Sequence, residues 1–329
     1  MFVKMLSKCA GLFFLLLLTS CNNIKEASVL RVAHTLDIQH SVHKALTYMS
    51  ERLEHYSQGK MRLKIYPNGQ LGSERELVEL LQIGSLAMTK VSAATLEGFV
   101  DDMRLFGLPY VFTSSAQRWQ ILESDIGQDI LNSLESARLL GLGYFDAGSR
   151  SFYTCHKMVN SPADIQGLKI RVLNSQNAVN MVNALGGSAT PISWGELYAA
   201  LQQGVVEGAE NNPPSFYSSR HYEICKNYSL DEHTAIPDIV IISQHIFNNL
   251  TEQQKGWLKL AMRDAVSKQK MLWQQAENDA LAEVKKAGVS VIYPDKAPFI
   301  KAVSHLHAQY NNTVVGQYLQ RIRTLERQE

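Results

Sequence analysis

The stretch SPADIQGLKIRVLNS, residues 161–175, reads as a turn followed by a short apolar strand with one misfit. Leu168, Ile170 and Val172 are strand formers, and the turn residues before them set the strand inside a fold. Arg171 stands between Ile170 and Val172. A guanidinium keeps its proton there, and burying it without an anion is costly. Two partners are open to it: a structural Asp or Glu in the core, or an anion that arrives as a ligand.

Outward from this strand the chain alternates. Before it, VLRVAHT reads as a strand, SVHKALTYMSERLEHYS as a helix with apolar residues at Val42, Leu46, Met49 and Leu53, and MRLKIYP as a strand. SERELVELLQIG opens with a capping-box pair, Ser73 and Glu76, and SLAMTKVSA is a further strand. SFYTCHKMV and LKIRVL are strands in a second run, followed by the helix NSQNAVNMVNALGG and a helix from SWGELYAALQQGVV with Ser193 and Glu196 at the same capping spacing. EGAENNPPSF reads as a strand end and a proline-marked turn. TAIPDIVIISQ is another strand, and a helix is expected from about Thr251 to Ala287, long enough to reach across two domains. This rhythm predicts an α/β fold of two lobes with crossing strands and a domain-spanning helix. Residues 28–148 with 237–276 form lobe I, 149–236 with 277–305 form lobe II, and 306–329 form a C-terminal helical segment.

The chain has 329 residues, 45% hydrophobic and 19% charged, which suits a globular core. Its net charge of +1 becomes −1 once Lys4 and Lys8 are removed with residues 1–20. A near-neutral surface lacks the basic footprint of a nucleic-acid binder. The segment MFVKMLSKCAGLFFLLLLTSC has a basic start, a short apolar run and small residues, so 1–20 reads as a secretory signal. Leu18-Thr19-Ser20-Cys21 resembles a bacterial lipobox, which implies lipidation at Cys21, a tether over 21–28, and a membrane-anchored lipoprotein in the periplasm or at the cell surface. Cys155 and Cys225 are expected as free, buried thiols.

Several polar residues lie near predicted strand ends, where ligands gather in open α/β sheets: Arg150, Arg171, Asn174 and Asn211, with Trp194 nearby. Two arginines and an asparagine suit a carboxylate, because the guanidinium fork meets both oxygens. Trp194 offers a flat wall for a sugar face. His40 and His43 at i and i+3 fall short of a metal site and read as a solvated face. Residues 231–234, DEHT, read as a loop between strands, with no nucleophile in a recognisable elbow.

YPNGQLGSERELVELLQIGSL, SPADIQGLKIRV and GGSATPISWGELYAALQQGVVEGAEN together resemble the solute-binding proteins of tripartite ATP-independent periplasmic (TRAP) transporters. The likeness covers nearly the whole chain after the signal. It implies a flytrap of two α/β lobes without catalytic activity, cofactor or metal, a monomer that delivers its ligand to TRAP permease subunits. It implies a ligand carboxylate on Arg171, with Arg150, Asn211, Trp194 and Asn174 beside it. YFDAGSRSFYT and ENNPPSFYSSRHYEICKNYSLDEHT resemble hexuronate-binding members, which implies D-glucuronate or D-galacturonate. Hydroxyl partners are then expected from His34, Gln39, Glu74, Ser92 and Asp146. The alternatives are another carboxylate (diketogulonate, sialic acid, a C4-dicarboxylate), a secreted enzyme acting on acidic sugars, or a sensory receptor sharing the same cleft.

Overall fold

The fold, taken from a computed structural model, is described for residues 27–326. The signal segment and Cys21 lie outside the described residues. The chain begins with β1 (Ser28–Ala33), α1 (Ser41–Tyr56), β2 (Met61–Tyr66), α2 (Glu74–Gln82) and β3 (Met88–Ser92). It continues through β4 (Leu139–Phe145), β5 (Arg150–Thr154), β6 (Lys169–Val172), α3 (Gln176–Ala184), β7 (Ser188–Pro191) and β8 (Gly208–Asn211). Then come α4 (Pro213–Ser218), β9 (Asn227–Thr234), β10 (Asp238–Ser243), α5 (Glu252–Lys286), β11 (Ser290–Ile292) and α6 (Val314–Glu326).

The strands form two mixed sheets. One has five strands in the order β2-β1-β3-β10-β4, the other six in the order β11-β9-β5-β8-β6-β7. The chain passes from the first sheet to the second between β4 and β5 and returns between β9 and β10. Gly148 lies in the first passage with φ +58°, a conformation glycine adopts without steric cost. A side chain there would also press on Trp273 and Glu277 of α5. The 35-residue α5 is the third connection. Its Leu258, Ala261, Met262 and Ala265 pack under the first sheet, and Val284 packs in a core of the second. At its middle, buried Gln269 holds the passage from both sides, accepting from Asp146 N at 2.7 Å and donating to Asp146 O at 2.8 Å. The C-terminal α6 returns to the first sheet and buries Val315, Tyr318, Leu319 and Ile322 there.

Several expectations change. Ser73 and Glu76 do form a capping box, but Ser193 makes no side-chain cap; residues 194–196 wind as a 3-10 turn instead. The turn expected at Pro213-Pro214 is helix α4, with Asn212 capping Ser215 N at 2.9 Å and proline at the first helical position, where no N–H is needed. Residues 231–234 are the end of β9 rather than a loop, buried except at Glu232. Cys155 and Cys225 are a disulfide, S–S 2.13 Å, not free thiols. The cause is register: Thr154 pairs with Asn227 across β5 and β9, which brings the flanking cysteines together.

Candidate functional site

β6 is flanked by parallel neighbours, Arg171 facing Thr190 of β7 and Ala209 of β8. Among the described residues, Arg171 is the largest fully buried side chain, 1% exposed. Its Nε donates to Ile192 O at 2.9 Å, and its guanidinium lies 5.8 Å from the Trp194 ring. Its Nη1 is buried without a hydrogen-bond partner, and among the described residues it has no ion pair. Burial lowers its pKa to about 10. Among the described residues the core supplies no carboxylate in ion-pair contact with Arg171.

Arg150 has a different fate. It is buried, with Nε 2.5 Å and Nη2 2.9 Å from the two carboxylate oxygens of Glu210. Nη1 donates to Asn211 Oδ1 at 2.8 Å. Burial favours a protonated Glu210, yet Arg150 and His233 outweigh it and hold the pKa down to about 2. His233 in turn pairs with Asp231 at 2.8 Å, and the two acids raise its pKa to about 9 against the effect of burial. Asn211 Oδ1 also accepts from Asn212 N at 2.8 Å, so the amide nitrogen of Asn211 is the group left for a ligand.

Arg171, Arg150, Asn211, Asn174 and half-buried Trp194 line one cavity of about 140 Å³. Glu74 and Ser92 line it from the first sheet's side. Glu74 sits in the first turn of α2, and its Oε2 accepts from Thr95 Oγ1 at 2.7 Å and Ser92 N at 3.2 Å. Three expected residues lie elsewhere. Asp146 lines a larger cavity of about 680 Å³, where Arg118 (2.8 Å), Trp119 (3.0 Å) and Gly148 N (2.9 Å) already occupy its oxygens. Gln39 is exposed and lines a third cavity. His34 is fully buried; its Nδ1 accepts from Leu36 N at 3.2 Å and its Nε2 meets His43 Nδ1 at 3.0 Å. The larger cavity has its lysines and arginine matched, Arg118 to Asp146 and Lys296 to Glu232 within it and Lys270 to Glu123 beside it. The smaller one holds the unpaired guanidinium, so it is the candidate site.

Sequence reasoning missed Glu210, Lys90, Asp238 and His40 in this site. Lys90 is buried on β3, 3.0 Å from Asp238 and 3.3 Å from Glu74. A lysine inside SLAMTKVSA is the same signal as Arg171 in its strand, and the same question would have found it. His40 is 3% exposed, not solvated. Its Nδ1 caps α1 by accepting from Val42 N at 3.2 Å, and its Nε2 reaches Ser215 of α4 at 3.4 Å. Burial and then Lys90 lower its pKa to about 3, so it is neutral.

Residues 32–313 match the DctP family model, bacterial extracellular solute-binding protein family 7. The chain is similar to a TRAP periplasmic solute-binding protein of Anaerococcus prevotii solved with bound α/β-D-glucuronate. The two are 36% identical with a TM-score of 0.89, over 92% of this chain and 99% of that one. It is also similar to a TRAP protein of Xanthobacter autotrophicus solved with β-D-galacturonate, at 35% identity and a TM-score of 0.87, over 90% and 99% of the two chains. A curated relative, the uncharacterised protein YiiZ of Salmonella typhimurium, is 34% identical over 90% of this chain and 91% of its own. With a family match across both sheets and the cleft between them, the chain belongs to the DctP family of TRAP transporter solute-binding proteins.

Proposed function

We propose that the protein captures a hexuronate, D-glucuronate or D-galacturonate, and delivers it unchanged to the membrane subunits of a TRAP permease. The observation that carries this reading is the buried, unpartnered Nη1 of Arg171. A ligand carboxylate supplies the missing anion, and a charge-assisted pair in a dry site is strong. Asn211 Nδ2 and Asn174 supply neutral partners to the same end of the ligand. Trp194 beside the guanidinium gives an apolar wall for a pyranose face. The similar structures solved with glucuronate and galacturonate support the same ligand class. In this reading the protein works as a monomer in the periplasm or at the cell surface, tethered through Cys21.

The test is one plate of thermal shifts at neutral pH, because a ligand that binds only the folded state raises Tm. Glucuronate and galacturonate should raise it. Glucose and galactose should not, since they leave Arg171 unpaired. A C4-dicarboxylate that raises Tm more than either hexuronate overturns the ligand assignment, and diketogulonate and sialic acid belong on the same plate. Proton NMR of the ligand after overnight incubation should show it unchanged; any product would make the protein an enzyme.

A further inference from the structure

Across the cavity from Arg171 stands a second buried charge cluster. Lys90, 3% exposed, bridges Glu74 and Asp238, and all three line the cavity. The sheet holds the cluster in place: β3 and β10 pair with Asp238 opposite Ser92, two residues from Lys90. Glu74 and Arg171 line the same cavity. His34 and His40 lie within electrostatic reach of Lys90 and are neutral, through burial first and Lys90 second. The buried part of this wall therefore holds two carboxylates and one ammonium, a net −1; Arg75, which also lines the cavity, is half exposed and is matched by Glu79 at 3.1 Å. The other end holds Arg150, cancelled by Glu210, and the uncancelled Arg171.

We propose that the Lys90–Glu74–Asp238 cluster is the specificity element of the cleft, accepting hydroxyls from the far end of the ligand and turning away a second carboxylate. The receptor then takes monoanionic sugar acids and rejects aldarates, which carry a carboxylate at both ends. This rests on the hexuronate reading. A hydroxyl donates to a carboxylate oxygen in a charge-assisted bond. A second carboxylate would lose its water and face a like charge in a low-dielectric cavity. Lys90 is a positioning residue: by standing between the two acids it lets both stay at the wall. Selectivity then comes from a repulsive element as well as an attractive one.

Asp238→Asn and Glu74→Gln each bring the wall to neutral with little change of shape. Calorimetry with galacturonate and galactarate on wild type and both variants measures the ratio of the two Kd values. Wild type should favour galacturonate by about 100-fold or more, and each variant should shrink that ratio by about tenfold or more. A cluster that only supports the fold would weaken both ligands together and leave the ratio unchanged in both variants, which overturns the proposal. Wild type that binds galactarate as tightly as galacturonate also overturns it, while leaving the hexuronate reading intact. Wild type that binds neither overturns the hexuronate reading and this inference with it.

Discussion

Arg150 and Glu210 meet edge to edge, Nε to Oε2 at 2.5 Å and Nη2 to Oε1 at 2.9 Å, so one of the two cleft arginines is neutralised from within the second sheet. The two arginines therefore differ in role although both are buried at the ends of strands. Arg150 is held by the fold, and Arg171 keeps an open valence.

Arg171→Lys should keep the fold and lose about 2–4 kcal/mol of hexuronate binding, because one ammonium cannot copy the guanidinium fork. Arg171→Met should abolish binding and stabilise the empty protein by about 0.5–2 kcal/mol, since it removes a buried charge without a partner. Calorimetry and urea unfolding read the two effects. Binding close to wild type in Arg171→Lys would mean that the carboxylate sits elsewhere.

Glu210→Ala should behave in the opposite way. It leaves Arg150 charged, buried and without its carboxylate, a change that costs about 3–5 kcal/mol of stability. A loss under about 1 kcal/mol in urea unfolding would show that Arg150 has another anion to turn to.

The buried histidines set a pH optimum. His34, His40 and His221 have folded pKa values lowered to about 3 from an ordinary 6.5, each chiefly by burial. Their contribution is complete above pH 6.5 and is lost as pH falls; by pH 5 each has given up on the order of 2 kcal/mol. His233 is raised to about 9 from 6.5. Its contribution is complete below pH 6.5 and falls by on the order of 3 kcal/mol by pH 9. Urea unfolding from pH 5 to 9 should peak near pH 6.5, and His233→Gln should flatten the alkaline arm alone. An alkaline arm that persists in the variant would assign that loss to another group.

The Cys155–Cys225 bond closes a loop with a sequence separation of 70. Its reduction should cost about 2–4 kcal/mol. A thiol assay on the unreduced, unfolded protein should detect neither Cys155 nor Cys225; reactivity of both would restore the free-thiol reading.

Glu74 and Ser92 reach the cavity from elements of the first sheet, while Arg171 and Asn211 reach it from the second. A ligand touching both sets favours the closed arrangement over an open one. Small-angle scattering should show a smaller radius of gyration at saturating hexuronate, and an unchanged curve would argue against closure.

What the sequence determined by itself was local. Alternation in MRLKIYP, the Ser73–Glu76 cap and the long run without proline after Thr251 are short-range signals, and β2, α2 and α5 stand where those signals lie. Arg171 was legible as a cleft residue because a permanent charge in an apolar strand has few outcomes, and resemblance narrowed them further. The partition of charges was not legible. Glu210 is adjacent to Asn211 in the chain, yet it reaches Arg150 only because β5 and β8 pair antiparallel and set Phe152 opposite Glu210. Asp238 and Lys90 are far apart in sequence and meet through the β3–β10 register. Asp146 and Gln39 looked equivalent to Glu74 as acceptors, but the passage between sheets turns Asp146 toward Arg118, and Gln39 stays in solvent. Which buried ion finds a partner, and which waits for one from outside, is a property of long-range strand pairing, and that is settled only when the sheets form.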